Sequence, residues 1–465
     1  MKKHNLQVVS GKQPSKCLYY SVQCLRLGFL AFLSAVVAGF CAVILTLLLH
    51  FIQSVAFGTY ESASKPSPVG LSIFHYVSIP LIAMIIAASI WMWLWGKSSN
   101  RIVDIAHAVR GRIMSWHTTI IHVFLQILIV SSGASLGREV APRELAAMLT
   151  QKLLRVFRIN EFQSCILVAS AAGAGLAGVY RSPIAGAIMA LGLVQIPRFA
   201  HESQSSLKRS KWYWLIQKFG IFVIALFMSE IASFTSVLAL GNESYYCLPC
   251  LDDIDVINMP VMFLAIIVGF ICGIVGTFFN KLIRWARSNS AHNYKILYLL
   301  PIVGFITGLI AAWNSAIMGN GRALAQYAYN AARNNISIDK SVLITLTLLA
   351  FVKILLTSCT LRAGASGGVL QPSMSSGASF GLIVGVFSMK FPMIGSILSS
   401  QPKILVIAAI FGAASLLTAS RKSLWFALFL VAQLVNVPLI MIIPMTVSCA
   451  VSRSVTMLST IFSRK

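Results

Sequence analysis

The segment Gly137-Arg138-Glu139-Val140-Ala141-Pro142 sets a carboxylate between a glycine and a proline in a mostly apolar region. Glycine lets the backbone approach a ligand closely, and proline suits the first turn of a helix. A helix start presents unpaired N–H groups and about half a positive charge, so it can hold an anion. Glu139 carries an anion of its own. Its carboxylate can fill an anion site when ionised and leave it when protonated. That is the chemistry of a gate and, potentially, of a proton carrier. A carboxylate in a membrane is costly and usually functional. Acidic residues also cap helix N-termini, and Glu144 suits that plainer role better.

The same chemistry is written twice. Gly133-Ala134-Ser135-Leu136-Gly137 recurs 231 positions later as Gly364-Ala365-Ser366-Gly367-Gly368. At that offset His122 falls on Lys353, each eleven residues before its motif, and a proline follows each motif at Pro142 and Pro372. A looser echo pairs Ala169–Gly178 with Ala408–Leu417. Gly, Ala and Ser also allow close helix packing. Two matched copies beside ionisable residues favour an ion site. Internal repeats of this kind place the substrate site near the bilayer midplane, on broken helices. His122 and Lys353 are expected either to raise the potential felt by a passing anion or to pair with a carboxylate such as Glu230.

The elements that position these motifs must be membrane helices. Only 11% of the 465 residues are charged and 57% are hydrophobic, against about a quarter charged in soluble domains. The runs Leu27–Phe51, Leu71–Trp95, Val261–Phe279 and Leu424–Val447 are each long enough to span about 30 Å of hydrocarbon. Backbone groups in lipid need internal partners, so helices are expected; the short alternating strands of a β-barrel are not visible. The net charge of +25 lies in short segments between apolar runs, which is a positive-inside pattern with lipid contact rather than a nucleic-acid surface. Phe219–Asn280 has no Lys or Arg, so the acidic loop Gly241–Asp255 faces the opposite side. Both termini are basic and are expected in the cytoplasm. The first apolar run is too long for a signal peptide and should be retained. Cys247-Leu248-Pro249-Cys250 lacks a second ligand pair for zinc; a strained disulfide or two thiols remain open.

Residues 26–450 resemble the CLC family of chloride channels and proton-coupled chloride antiporters. Gly137–Pro142 resembles the family's Gly-Lys/Arg-Glu-Gly-Pro segment, with Glu139 at the gating glutamate. Gly368-Val369-Leu370-Gln371-Pro372 resembles Gly-x-Phe-x-Pro, whose second and third residues offer amides to the central anion. Gly175–Gly186 resembles the Gly-Leu-Ala-x-x-Phe-x-x-Pro-Leu-Ala-Gly run. The chain departs from the family in four places. Val140 replaces a glycine, with one residue inserted before the proline, and is expected to narrow the outer site. The family's Gly-Ser-Gly-Ile-Pro segment falls on Ser99–Val103, so Asn100, or its neighbour Ser99, stands at the anion-contacting serine. No tyrosine follows Tyr329, and Leu193 stands at the inner proton-relay glutamate.

The expectation is an all-α polytopic membrane protein of two inverted halves, residues 26–240 and 257–450, meeting at a midplane anion site. A basic tail (1–25), an outer acidic loop (241–256) and a short tail (451–465) complete it, with no room for a C-terminal regulatory domain. The resemblance implies a homodimer in the inner membrane, among lipids, with chloride as transported ligand and no cofactor. Gly137, Arg138, Val140, Val369 and Leu370 are the expected anion-binding residues. Fluoride or nitrate selectivity and a degenerate, non-transporting paralogue are the alternatives. A membrane enzyme is disfavoured, because His117 and His122 share no helical face and no catalytic cluster surrounds them.

Overall fold

Apolar runs without internal breakers fold as helices, and the small-residue motifs interrupt them. A computed structural model describes residues 16–96, 102–194, 211–251, 257–334, 338–390, 395 and 403–462. The described residues form sixteen α-helices, eight in each half. In the first half these are α1 (Lys16–Phe57), α2 (Ile73–Gly96), α3 (Ile105–Val109), α4 (Trp116–Ser131), α5 (Val140–Val156), α6 (Glu161–Tyr180), α7 (Pro183–Leu193) and α8 (Lys211–Leu240). The second half repeats the order with α9 (Met259–Ser288), α10 (Ile296–Trp313), α11 (Arg322–Asn334), α12 (Lys340–Arg362), α13 (Leu370–Ser388), α14 (Ile404–Arg421), α15 (Leu424–Val435) and α16 (Ile442–Phe462). Nine of the described helices are long and apolar enough to cross a membrane.

The looser echo marks the centre of the molecule. Its two copies lie in α6 and α14, whose apolar windows are 83% and 94% buried, against at most 56% for the other spans. Small residues explain this placement. A Cβ on Gly412 would come within 2.6 Å of the Gly381 Cα, so α14 packs directly on α13. A Cβ on Gly175 would come within 2.7 Å of the Pro142 carbonyl, so α6 holds the first turn of α5. Both central helices end in a left-handed residue, Arg181 (φ 51) and Lys422 (φ 57), and a new helix follows at once.

Leu424–Val447, expected as one span, is two helices. Asn436 takes a left-handed conformation (φ 55) at the end of α15. Asparagine tolerates that geometry, and Pro438 removes an N–H while restricting Val437. A short 3₁₀ turn, Leu439–Met441, then leads into α16. The acidic loop is not a plain surface loop either. Tyr246 and Leu251 are buried, and Gln326 of α11 pins Cys247 through both backbone groups, donor and acceptor 2.9 Å apart in each bond. No disulfide joins Cys247 to Cys250; both are exposed.

Candidate anion pathway

The two Gly-Ala-Ser motifs fold into the same turn. Gly133 (φ 108) and Gly364 (φ 106) are both left-handed, a geometry that glycine adopts without penalty. After each, the alanine N–H reaches back five residues: Ala134 to the Ile129 carbonyl at 2.8 Å, Ala365 to the Thr360 carbonyl at 3.2 Å. The chains then meet. Gly137 N–H donates to the Gly368 carbonyl at 2.7 Å, and Gly368 N–H donates to the Gly137 carbonyl at 2.9 Å. This antiparallel bridge ties the ends of the two broken helices together.

Glu139 sits at the start of α5 but its carboxylate makes no cap to that helix. It crosses instead to the other half. Oε1 accepts the Leu370 N–H, the first residue of α13, at 2.8 Å. Oε2 accepts the Tyr180 hydroxyl from the end of α6 at 3.1 Å. The residue is 1% exposed. A Cβ on either Gly137 or Gly368 would overlap the carboxylate, so both positions require glycine while Glu139 is seated. A carboxylate bound by a helix-start amide occupies what is physically an anion site. Val369, the residue before α13, is buried beside it.

That carboxylate stands between two spaces. On one side is a cavity of about 100 Å³ bordered by Glu61, Arg138, Tyr180, Arg181, Tyr245 and Arg322. On the other is a vestibule of about 830 Å³ that reaches Glu139, Val140, Val369 and Leu370. The smaller cavity borders the acidic-loop residues Glu243–Tyr245, and the vestibule borders the tryptophan-rich end of α2 and Arg287 in the last turn of α9. Val140, expected to narrow the outer site, lines the larger vestibule and not the smaller cavity.

Arg138 turns toward the smaller cavity. Its Nη1 lies 3.4 Å from Glu61 Oε1, and its guanidinium lies 5.8 Å from the Tyr245 ring centre. Asn320 Nδ2 donates to Glu61 at 3.1 Å, and Arg322 donates to the Tyr245 carbonyl at 2.9 and 2.7 Å. Glu61 lies in the α1–α2 loop. Burial alone would push its carboxyl up; the Arg138 and Arg322 guanidiniums outweigh that and hold it below the usual carboxylate range. Glu61, Tyr180 and Arg322 were not singled out from sequence. Tyr180 stood at the aromatic position of the Gly175–Gly186 run, but its hydroxyl gained meaning only beside Glu139.

His122 and Lys353 hold different partners despite their matched positions. Lys353 is fully buried in α12 and donates to the Ile317 and Gly319 carbonyls at 2.8 and 2.7 Å. Gly319 N–H in turn donates to the Gly133 carbonyl at 3.0 Å, so Lys353 braces the first motif from the second half. His122 accepts the Trp91 indole N–H at Nδ1, 3.0 Å away, and its Nε2 faces Glu144 at 3.7 Å. Gln126 donates to the same Glu144 oxygen at 2.8 Å. Glu144 is therefore a buried vestibule carboxylate rather than a surface cap. Glu230 is exposed on α8 and partners neither His122 nor Lys353. Leu193 ends α7 at the vestibule wall. Ser99 and Asn100 lie outside the described residues.

Two broken-helix halves joined at a carboxylate-filled anion site, within a bundle of membrane-length helices, define a polytopic anion transport protein. Residues 81–457 match the family profile described as voltage gated chloride channel, and the chain belongs to that family. A voltage-gated ClC-type chloride channel ClcB of Salmonella dublin is 23% identical over 369 residues, 76% of this chain and 78% of that protein. Among solved structures, a slow cyanobacterial Cl⁻/H⁺ antiporter shares the fold with a TM-score of 0.71 at 18% identity, covering 93% of this chain and 94% of its own. A CLC-type fluoride/proton antiporter does so with a TM-score of 0.67 at 19% identity, covering 94% and 96%. The protein carries out CLC-type anion transport and is an integral, multi-pass membrane protein.

Proposed function

We propose that the transported anion is chloride and that Glu139 gates its path. One observation carries the reading: the Glu139 carboxyl group already sits on the Leu370 amide, where a chloride would bind. Chloride would enter from the vestibule, meet the N–H groups at Val369 and Leu370, and pass only once the Glu139 carboxylate has left. Protonation, or displacement by the ion, releases it. Gly137 and Gly368 give the carboxylate room to seat; Arg138 supports positive potential on the outer side. The Arg- and Lys-rich connections support placing the vestibule and both termini in the cytoplasm and the acidic loop outside, in an inner-membrane setting. The family resemblance supports a homodimer with one pathway per subunit.

Flux in liposomes tests the reading. Chloride should move faster than nitrate or fluoride, and Glu139→Gln should alter the rate or its pH dependence. If neither Glu139→Gln nor Glu139→Ala changes flux, the gate is elsewhere. A chloride gradient that drives protons uphill marks an antiporter despite Leu193; chloride current without proton movement marks a channel.

A further inference from the structure

Three arginines from three helices converge on the vestibule: Arg143 in α5, Arg287 in the last turn of α9 and Arg421 at the end of α14. Each end-of-helix arginine, taken alone, is accounted for by the helix dipole. Their convergence is not. The charges of Arg287 and Arg421 both act on Arg143, and all three guanidiniums feel Glu139. Arg287 and Arg421 open to solvent and Arg143 is partly buried, so water screens part of their repulsion and an anion among them would relieve the rest.

The carboxylates that share the vestibule do not supply it. Glu139 is held by Leu370 and Tyr180. Glu144 accepts from Gln126 and faces His122; its charge also reaches Arg143, but the two form no ion pair. Asp104 accepts the N–H and ring nitrogen of His107, both at 2.8 Å, at the start of α3. Among the described residues no carboxylate lies within ion-pair distance of Arg143, Arg287 or Arg421. The Arg143 Nε is sealed from solvent and has no hydrogen-bond partner.

We propose that Arg143, Arg287 and Arg421 form a binding site for a soluble phosphate-class oxyanion, which plugs the vestibule below Glu139. A guanidinium presents paired donors in a plane and matches two oxygens at once. A chloride ion is a single sphere and leaves that fork half used. About 830 Å³ is ample for one chloride and falls in the range of cavities that take phosphate-bearing metabolites. The occupant would close the pathway from the arginine side, whatever the position of the gate. This inference rests on the proposed chloride pathway for its consequence, but not for the binding itself.

The test uses the full chain and inorganic pyrophosphate as probe. In detergent, pyrophosphate should raise the melting temperature of the protein. In liposomes it should block chloride flux from the vestibule side only, whether or not the vesicles contain anionic lipid. Arg287→Gln and Arg421→Gln should each weaken both effects by about tenfold or more, the scale of one lost charge-assisted contact. Arg284→Gln, on α9 but away from the vestibule wall, should leave both unchanged. Equal responses from the wild type and the Arg287→Gln/Arg421→Gln double variant overturn the proposal, as does a wild type that pyrophosphate neither stabilises nor blocks. A melting shift in a protein that moves no chloride keeps the site and removes the transport reading; flux without any pyrophosphate effect does the reverse.

Discussion

The two Gly-Ala-Ser motifs have one backbone and two chemistries. Their turns superpose in kind, glycine for glycine, and residues 231 apart bond to each other: Gly137 with Gly368 in both directions, and the Glu139 carboxylate with the Leu370 amide. Reciprocal contact between equivalent residues is the mark of a two-fold axis, here an internal one that passes between the glycines. On that axis the second half contributes a bare helix start and the first half contributes the charge that fills it. At the position before, Arg138 is matched by Val369. Arg138 needs a counter-ion, which Glu61 provides; Val369 needs none. The frame is symmetric, and side chains that differ between the halves fill it from one side only.

The most severe way to break this comparison is to empty the site. Glu139→Ala should abolish the pH dependence of anion flux in liposomes, because no titrating plug remains. Gly368→Ala should expel the carboxylate by overlap and change the flux of an otherwise native chain. In a Glu139→Ala background the same substitution should cost far less, since the overlapping group has gone. Additive effects of the two changes would show that Gly368 matters for some other reason.

The counter-ion of the first motif comes next. Glu61→Ala leaves Arg138 without its buried partner and should destabilise the protein by about 3–5 kcal/mol, read as a lower melting temperature in detergent. The pH sign follows from the depressed carboxyl. Its native pKa lies below the unfolded value of about 4.3, so its contribution is full above that value and is lost as pH falls through the native one. Wild type should lose stability on acidification in that range, and Glu61→Gln should lose less of it. An identical acid profile in the two proteins would remove Glu61 from the account.

The matched pair His122 and Lys353 gives a milder test. Lys353→Met strips charge-assisted bonds from two buried carbonyls that brace the first motif and should cost about 1.5–3 kcal/mol. His122→Phe loses one neutral bond from Trp91 and should cost about 1 kcal/mol. If Lys353 serves mainly to raise the pathway potential, as expected from sequence, Lys353→Met should instead lower chloride flux at unchanged melting temperature. The smallest effect belongs to Tyr180→Phe. Loss of its hydroxyl loosens one side of the seated carboxylate, which should raise flux at a given pH by roughly two- to tenfold.

Helix-forming apolar runs, the half-chain repeat and the glycine–glutamate motif were legible in the sequence because each depends on local residue types. Hydrophobic length specifies a span, and a glycine just past a helix end specifies a left-handed turn, as at Gly133 and Gly364. The break inside Leu424–Val447 was the local feature that hydropathy concealed, since Asn436 and Pro438 interrupt the backbone without adding charge. What tertiary structure alone decided are the partners across the two halves. Glu144, read as a cap, became a buried vestibule carboxylate because α4 brings Gln126 and His122 against it. Lys353 found carbonyls rather than Glu230. Glu61 and Arg322, 261 residues apart, meet over Tyr245. None of these pairings has a sequence period, because each is set by where rigid helices cross. The sequence therefore identified Glu139 as an anion at a helix start, and only the fold showed that the helix start it occupies belongs to the other half.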